Sequence, residues 1–291
     1  MVIKNTSDND IDPSSIAVAM ITHYPHWYRG KLRSIKNSDK IRGDLALETI
    51  QKAKKIGHEV IVADGESAKT FRKELGKIEG IYLIKRRSMK RRFAKRQTIK
   101  KASKLADVQV IIVTEPEKVS LITDCITSLV QPILENKSDI VLPKRNPELF
   151  KKTYPSYQFD SETEGNILYN EILRAHGLIE ANAENFDIFF GPFALKNSKN
   201  VLSLFMKNYP FKVKISARAH QFFQEDEYGF IPTVYALKKG LEVKSVEVPF
   251  SYPNKQKQNE TTGVKELFIT KRRNQKMSIL IDLLYFTHYL D

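Results

Sequence analysis

Short apolar runs that alternate with helix-forming segments are the feature that most constrains how the first half of this chain can fold. The apolar runs lie at residues 16–21, 59–63, 80–84 and 108–113. Residues 44–56 and 68–75, and a basic segment that ends near residue 106, have the spacing or position expected of the intervening helices. Strands and helices in this order form a parallel sheet with helices on its faces. We therefore expect an α/β fold with a mostly parallel, Rossmann-like sheet.

The charge of the chain indicates an anionic partner. Lys and Arg outnumber Asp and Glu by 48 to 34, which gives a formal net charge of +14. Such a surface suits nucleic acid, an anionic membrane surface or an anionic small substrate, and charge alone does not choose among them. The single cysteine, Cys125, excludes an intramolecular disulfide. Together with a polar start that lacks the apolar stretch of a secretory signal, this predicts a cytoplasmic protein.

Polar residues follow each predicted strand, where ligands bind in sheets of this kind. Asp64 ends the second run and Arg86 follows the third, while Glu115 and Glu117 flank Pro116 after the fourth. Two carboxylates at one strand end form a hard oxygen site that suits Mg²⁺ or Mn²⁺, with a diphosphate completing the coordination. Acidic residues are also favoured at the start of a helix, so a purely structural role is the alternative.

Two further groups carry charge. The basic segment 85–101 could neutralise phosphates, with Arg86 and Arg92 as candidates, or it could be a solvated basic face. Farther along, Glu225, Asp226 and Glu227 precede an apolar stretch with helical spacing. These acids could cap that helix, or one of them could act as a general base on an acceptor hydroxyl.

In this order, the motifs resemble those of GT-A glycosyltransferases of the broad family-2 type. The second half is also similar to mannosylglycerate synthase and glucosyl-phosphoglycerate synthase. Glu115-Pro116-Glu117 stands where that family has Asp-x-Asp, so each acidic side chain is one methylene longer. The other matching segments are residues 22–25, 59–67, 86–106, 140–145, 187–195, 225–226 and 240–249. The resemblance covers roughly residues 15–255.

The resemblance implies a GT-A fold and transfer of a hexose from a GDP-mannose-type or UDP-glucose-type donor, assisted by Mg²⁺ or Mn²⁺. It implies metal ligation by Glu115 and Glu117, and acceptor activation by Asp226 or, as its rival, Glu225. The implied nucleotide-binding residues are Thr22, Tyr24, Asp64, Arg86 and Arg92. The implied sugar-binding or acceptor-binding residues are Gly191, Arg145 and Glu227. The acceptor would be an anionic small molecule, a polyprenyl phosphate, a glycan or another hydroxyl compound.

Composition, residue patterns and the resemblance together set the expected organisation of the chain. Residues 1–14 are expected to be a disordered leader and residues 15–255 a single domain, with a nucleotide-binding half (15–145) and an acceptor half (146–255). Residues 256–291 would form a helical tail. Basic residues 271–273 precede an apolar helix predicted at 276–289, which either packs on the domain or lies on an anionic membrane surface.

Three other functions stay open at this point. A nucleotidyltransferase shares the sheet and the metal carboxylates, but its usual glycine-rich loop has no counterpart at residues 22–28. A catalytically inactive GT-A-like protein would use Glu115 and Glu117 only to cap a helix. A nucleic-acid-binding protein would track phosphates with segment 85–101, although few aromatic residues alternate with its charges as single-strand binding requires.

Overall fold

The computed structural model describes residues 11–88, 90–209 and 230–288. Within these ranges, the strands of one seven-stranded sheet are β1 (Ile16–Thr22), β2 (Glu59–Asp64), β3 (Ile81–Lys85), β4 (Val110–Thr114), β5 (Ile140–Arg145), β6 (Phe193–Lys196) and β7 (Val243–Val248). The strand order is β3-β2-β1-β4-β6-β5-β7. Only β6 runs antiparallel to its neighbours, and every other described pair is parallel. The mostly parallel sheet confirms the α/β class predicted from the sequence.

Helices connect the strands and cover both faces of the sheet. They are α1 (Ser38–Ile56), α2 (Lys69–Leu75), α3 (Arg91–Ala102), α4 (Ile126–Leu134), α5 (Pro147–Thr153), α6 (Ser156–Ala175), α7 (Lys199–Met206), α8 (Phe230–Lys238), α9 (Asn254–Gln258) and α10 (Lys265–His288). Single π-helical turns at Leu121–Cys125 and Asn259–Gly263 precede α4 and α10. Short 3₁₀ turns lie at Pro13–Ser15 and Ile188–Phe190.

Successive residues of the central strands pack into two separate hydrophobic cores. Val18 and Met20 of β1 pack with Ala46 and Ile50 of α1 on one face of the sheet. Ala19, between them, packs on the opposite face with side chains from α3, α6, α7, α8 and α10. Because side chains alternate across a strand, a strand that is covered on both faces must be apolar throughout. This is why the sequence of β1 is a continuous apolar run rather than an alternating one.

Two helices begin earlier than the sequence predicts. The expected start of the first helix at residue 44 is wrong, because α1 begins at Ser38. Within it, Gly43 lies under the indole of Trp27, where a Cβ would lie 2.4 Å from Trp27 Cδ1. The last helix was expected from residue 276, and α10 begins at Lys265. The first turns of α10 are mainly polar, so they lack the apolar stripe that would reveal a helix.

The C-terminal helix α10 packs along α6. Its residues Ile279 and Leu283 are buried in the same core as the sheet face that α3 covers. Leu267, Met277 and Leu284 remain exposed on the other side of the helix. None of the helices in the described ranges combines the length and apolarity needed to cross a membrane.

Candidate active site

A cleft of about 380 Å³ opens at the carboxyl ends of the central parallel strands. Thr22 of β1, Arg145 of β5 and Glu115, directly after β4, line its floor. Helices α1, α3 and α10 supply side chains to its walls. The cleft therefore lies where parallel sheets of this type bind their ligands.

Glu115 and Glu117 both face this cleft. The backbone turns immediately after β4, where Lys118 N–H donates to the carbonyl of Glu115 at 3.3 Å. Glu117 is largely buried and accepts a hydrogen bond from the Tyr24 hydroxyl at 3.0 Å. Both predicted carboxylates therefore reach one cleft, as the sequence hypothesis requires.

The carboxylate of Glu115 has unused capacity to bind a ligand. Its Oε2 atom is buried and accepts no hydrogen bond from the residues that the structure describes, and Lys118 Nζ lies 3.8 Å from it. Burial alone would raise the pKa of Glu115, but the positive charges of Lys118, Lys95 and Arg91 lower it below its ordinary value. The carboxylate is therefore ionised at neutral pH, with an oxygen that no donor in the described part of the chain satisfies.

Lys118 is enclosed by aromatic rings next to this carboxylate. Its ammonium nitrogen lies 4.4 Å from the ring centroid of Phe190 and 5.2 Å from that of Phe250. Burial lowers the pKa of Lys118, while Glu115 acts in the opposite direction. Lys118 was not singled out from the sequence, because a lysine directly after an acidic pair resembles an ordinary residue of a helix start.

Gly191 brings the backbone against Glu115. It has φ of +97°, a conformation that side-chain-bearing residues rarely adopt. A Cβ at this position would lie 2.8 Å from Glu115 Oε1. The resemblance implies a Gly191 contact with the donor sugar, and the structure places this glycine at the cleft beside the candidate metal ligand.

A buried chain of charges holds the cleft-facing end of α1. Arg42 Nη1 lies 3.9 Å from Glu117, and Arg42 Nη2 donates to Glu260 at 2.9 Å. Glu260 is fully buried and also accepts hydrogen bonds from Tyr252 at 2.9 Å and Gln256 at 3.1 Å. The π-helical turn that carries Glu260 thus fixes the guanidinium group next to Glu117.

Arg145 lies at the centre of a second buried network. Its guanidinium group donates to both carboxylate oxygens of Asp187 at 2.7 Å and to Glu162 at 2.6 Å, over the ring of Phe150. Glu162 also lies 3.4 Å from Arg272 of α10. Arg145 lines the cleft, but protein carboxylates already occupy its donors. Through Glu162 and Asp187, this network joins β5, α6, α10 and the loop before β6.

Three of the predicted nucleotide-binding residues line the cleft: Thr22, Tyr24 and Arg86. Asp64 is buried beneath them, where it accepts hydrogen bonds from the hydroxyls of Thr22 at 2.8 Å and Ser67 at 2.5 Å. Its contacts order the strand ends rather than present a free carboxylate.

Arg92 takes a position different from that of Arg86. Its guanidinium group lies 5.0 Å from the ring centroid of Phe93, and it is not among the described residues that line the cleft. The neighbouring turn of α3 instead places Arg91 and Lys95 at the cleft wall. The predicted acids Glu225, Asp226 and Glu227 lie outside the described residues.

The wall contributed by α10 was not predicted as part of the site. Lys271, Arg272 and Gln275 line the cleft, together with Arg42 of α1. The sequence shows the basic residues at positions 271–273, but by themselves they predict only the end of a helix that packs on the domain or lies on a membrane surface. Their approach to the cleft depends on how α10 crosses α6, which local sequence does not encode.

The residues at the cleft could hold a divalent cation only together with a bound ligand that supplies further oxygen atoms. Among the described residues, no group of three or more His, Cys, Asp or Glu side chains could hold a metal ion. Mg²⁺ sites commonly use one or two carboxylates and take the remaining oxygens from phosphates and water. The unsatisfied oxygen of Glu115, next to Glu117 and several cations, matches that arrangement.

Comparisons with known proteins give structural similarity without sequence relatives. No protein-family model matches the chain, and no curated protein matches it. It is similar to glucosyl-3-phosphoglycerate synthase from Mycobacterium tuberculosis in complex with Mg²⁺ and UDP, at 12% identity and a TM-score of 0.47, over 91% of this chain and 79% of that one. A mannosyltransferase from Pyrobaculum calidifontis in complex with GDP-mannose and Mn²⁺ matches at 12% identity and a TM-score of 0.43, over 95% and 71% of the two chains.

A nucleotidyltransferase is also among the similar structures. The inositol-1-phosphate CTP transferase from T. maritima matches at 12% identity and a TM-score of 0.42, over 90% of this chain and 97% of that one. The solved structures that match thus include nucleotide-sugar transferases, the class that the sequence motifs resemble. At such low identities and TM-scores, what this chain does has to follow from its own cleft.

Proposed function

We propose that this chain is a glycosyltransferase that binds a nucleoside diphosphate sugar in the cleft and transfers its hexose to an acceptor hydroxyl. The observation that carries the proposal is the unsatisfied carboxylate oxygen of Glu115, next to Glu117, in a cleft whose walls are rich in Lys and Arg. A diphosphate with a divalent cation would satisfy both the carboxylates and the basic walls.

The basic side chains of α3 would receive the diphosphate. Lys95 and Arg91 line the cleft and act electrostatically on Glu115, and Arg86 lines the cleft at the end of β3. Preorganised cations that face a leaving diphosphate stabilise the charge that develops on it. Mg²⁺ or Mn²⁺ bound at Glu115 and Glu117 would supply Lewis-acid stabilisation of the same charge.

The transfer exchanges one bond for another at the sugar. The bond from the anomeric carbon to the diphosphate oxygen breaks, and a bond to the acceptor oxygen forms. The acceptor hydroxyl loses its proton, for which Asp226, with Glu225 as its rival, remains our candidate base. Glu227 and Gly191 remain proposed contacts of the acceptor and sugar. In this proposal residues 15–145 form the donor half and residues 146–255 the acceptor half.

The test is thermal unfolding of the purified protein with UDP, GDP, UDP-glucose or GDP-mannose, each with and without Mn²⁺. A ligand at 100 times its Kd stabilises the native state by about 2.7 kcal/mol. We expect one nucleotide to raise Tm in a metal-dependent manner, and Glu115→Gln to abolish the metal dependence. Glu184→Gln is the matched control, because Glu184 is exposed and pairs with Lys144 away from the cleft.

The outcomes separate the proposed function from its rivals. A folded protein that gives no shift with any nucleotide contradicts the proposal and favours a catalytically inactive protein. A metal-dependent shift with CTP, together with release of pyrophosphate on addition of a sugar phosphate, would instead identify a nucleotidyltransferase. Release of UDP or GDP from the sugar donor would support the glycosyltransferase.

A further inference from the structure

Helix α10 presents one polar stripe to the cleft. Lys271, Gln275 and Ile279 are spaced four residues apart, so they follow one another along the same side of the helix. Arg272 lines the cleft next to them. The stripe thus combines an ammonium group, a guanidinium group and a side-chain amide, all hydrogen-bond donors, on one wall.

Lys271 differs from Arg42 and Arg272 in having no carboxylate partner among the described residues. Across the described residues, no carboxylate oxygen lies within 4 Å of its ammonium nitrogen. The guanidinium groups around it have carboxylate partners, since Arg42 pairs with Glu260 at 2.9 Å and Arg272 with Glu162 at 3.4 Å, but Nε of Arg272 has no hydrogen-bond partner among the described residues. Lys271 is an exposed side chain at the cleft, so its positive charge is available to an anion that enters there.

The surroundings of Lys271 are strongly positive. Lys271 is exposed, and the partial burial of its side chain, together with the charges of Arg42, Arg91 and Arg272, lowers its pKa to about 8, although Glu260 acts in the opposite direction. An anion that enters this wall would relieve the repulsion among these cations. In this group of four cations, Lys271 is a lysine, whereas Arg42, Arg91 and Arg272 are arginines.

Lys271 on the α10 wall and Glu115 have different nearest charges in one cleft. Lys118 and Lys95 act most strongly on Glu115 among its neighbouring charges, whereas Arg42 and Arg91 act most strongly on Lys271. Arg91 acts on both residues, and Arg42 lies 3.9 Å from Glu117 of the acid pair. A diphosphate near Glu115 would therefore leave the charge of Lys271 available for a second anion.

We propose that Lys271, Arg272 and Gln275 form an anion subsite that binds a phosphate monoester group of the acceptor. The identification of this group with the acceptor rests on the proposed function, whereas the subsite itself does not. A phosphate monoester is compact and carries nearly two negative charges at neutral pH, so it can accept hydrogen bonds from all three side chains at once. The group can belong to a small phosphorylated molecule or to a lipid phosphate.

The experiment measures binding of inorganic phosphate to the full chain by isothermal titration calorimetry. It compares the wild type, Lys271→Gln and, as a matched control, Lys265→Gln, which changes an exposed lysine on the same helix away from the cleft. Loss of one charge-assisted contact should weaken phosphate binding about tenfold. We expect this loss in Lys271→Gln and unchanged affinity in Lys265→Gln. Equal affinity in all three proteins overturns the subsite.

A second titration separates this inference from the proposed function. Inorganic phosphate is added in the presence of Mn²⁺ and the nucleotide that shifts Tm. Phosphate that still binds and still depends on Lys271 supports an acceptor subsite, whereas competition with the nucleotide overturns it. If no nucleotide binds but phosphate binding depends on Lys271, the subsite stands while the proposed function fails.

Vesicles distinguish the two sources of the phosphate group. Phosphatidylcholine vesicles with and without phosphatidic acid are sedimented with the same three proteins. Binding that requires phosphatidic acid and is lost in Lys271→Gln supports the subsite with a lipid phosphate as its ligand. Lysine-dependent binding of inorganic phosphate without vesicle binding supports it with a small phosphorylated acceptor. Vesicle binding that is equal in all three proteins would show that lipid does not use this subsite.

Discussion

Asp187→Asn removes one charge from a buried network and tests whether that network supports the floor of the cleft. Asp187 Oδ2 accepts from the backbone N–H of Arg145 at 3.0 Å and from its Nε at 2.7 Å. Its Oδ1 accepts from Arg145 Nη2 and from Asn166, both at 2.7 Å. An asparagine keeps the shape but loses the charge, and it turns an amide donor toward other donors.

The size of the effect follows from burial. Arg145 is 2% exposed and Asp187 8%, so neither charge can recover hydration when its partner is neutralised. Breaking such a pair by changing one partner costs about 3–5 kcal/mol. Glu162 remains as a partner of Arg145, which favours the lower end of that range. With a urea m-value of about 3 kcal/mol/M, the unfolding midpoint should fall by about 1–2 M.

Urea unfolding followed by circular dichroism measures this loss, with Asp160→Asn on the exposed face of α6 as the control. Burial by itself would raise the pKa of Asp187, but its hydrogen-bonded ion pair with Arg145 lowers it. The stabilisation is therefore fully present above the unfolded-state pKa of about 3.9 and is lost as pH falls through the folded-state pKa. A loss under about 1 kcal/mol at pH 7 would refute the assigned role of the network.

Other predictions concern the cleft itself. Gly191→Ala should cost about 1–3 kcal/mol in urea unfolding and abolish metal-dependent nucleotide binding, because its Cβ would lie 2.8 Å from Glu115 Oε1. Gly177→Ala shares the positive φ but meets no atom within 4 Å, so it should leave nucleotide binding intact. Glu260→Gln should weaken Mn²⁺-dependent nucleotide binding, as measured by Tm shifts, because it loosens the guanidinium group that it holds beside the acid pair. Phosphate affinity should fall as pH rises above about 8, where Lys271 loses its proton, and Lys271→Gln should show no such dependence in calorimetry.

The sheet was readable from the sequence because each central strand is buried on both faces. The apolar runs at residues 16–21 and 59–63 predicted β1 and β2 to within one residue. The carboxyl-end rule predicts that Glu115, Glu117 and Arg86 lie at one edge of the sheet, and all three line the cleft. These predictions succeed because the burial of a strand and its direction can both be inferred from the order of residues in a short segment.

What the sequence concealed depends on contacts between distant segments. The fully buried Glu260 carries no local sign that it pairs with Arg42, 218 residues away. The sequence predicts a free carboxylate for Asp64 at a strand end, but the hydroxyls of Thr22 and Ser67 donate hydrogen bonds to it. The role of Lys271 depends on the crossing of α10 over α6, since the same basic sequence would suit a membrane-surface helix equally well.

The central claim is that Glu115 and Glu117 hold a divalent cation together with a nucleoside diphosphate. Crystals grown with Mn²⁺ and the nucleotide that shifts Tm would test it by anomalous diffraction at the manganese edge. We expect an anomalous peak within direct coordination distance of Glu115 Oε2, with a diphosphate oxygen as a further ligand. Nucleotide density in the cleft without a manganese peak at the acid pair would contradict it.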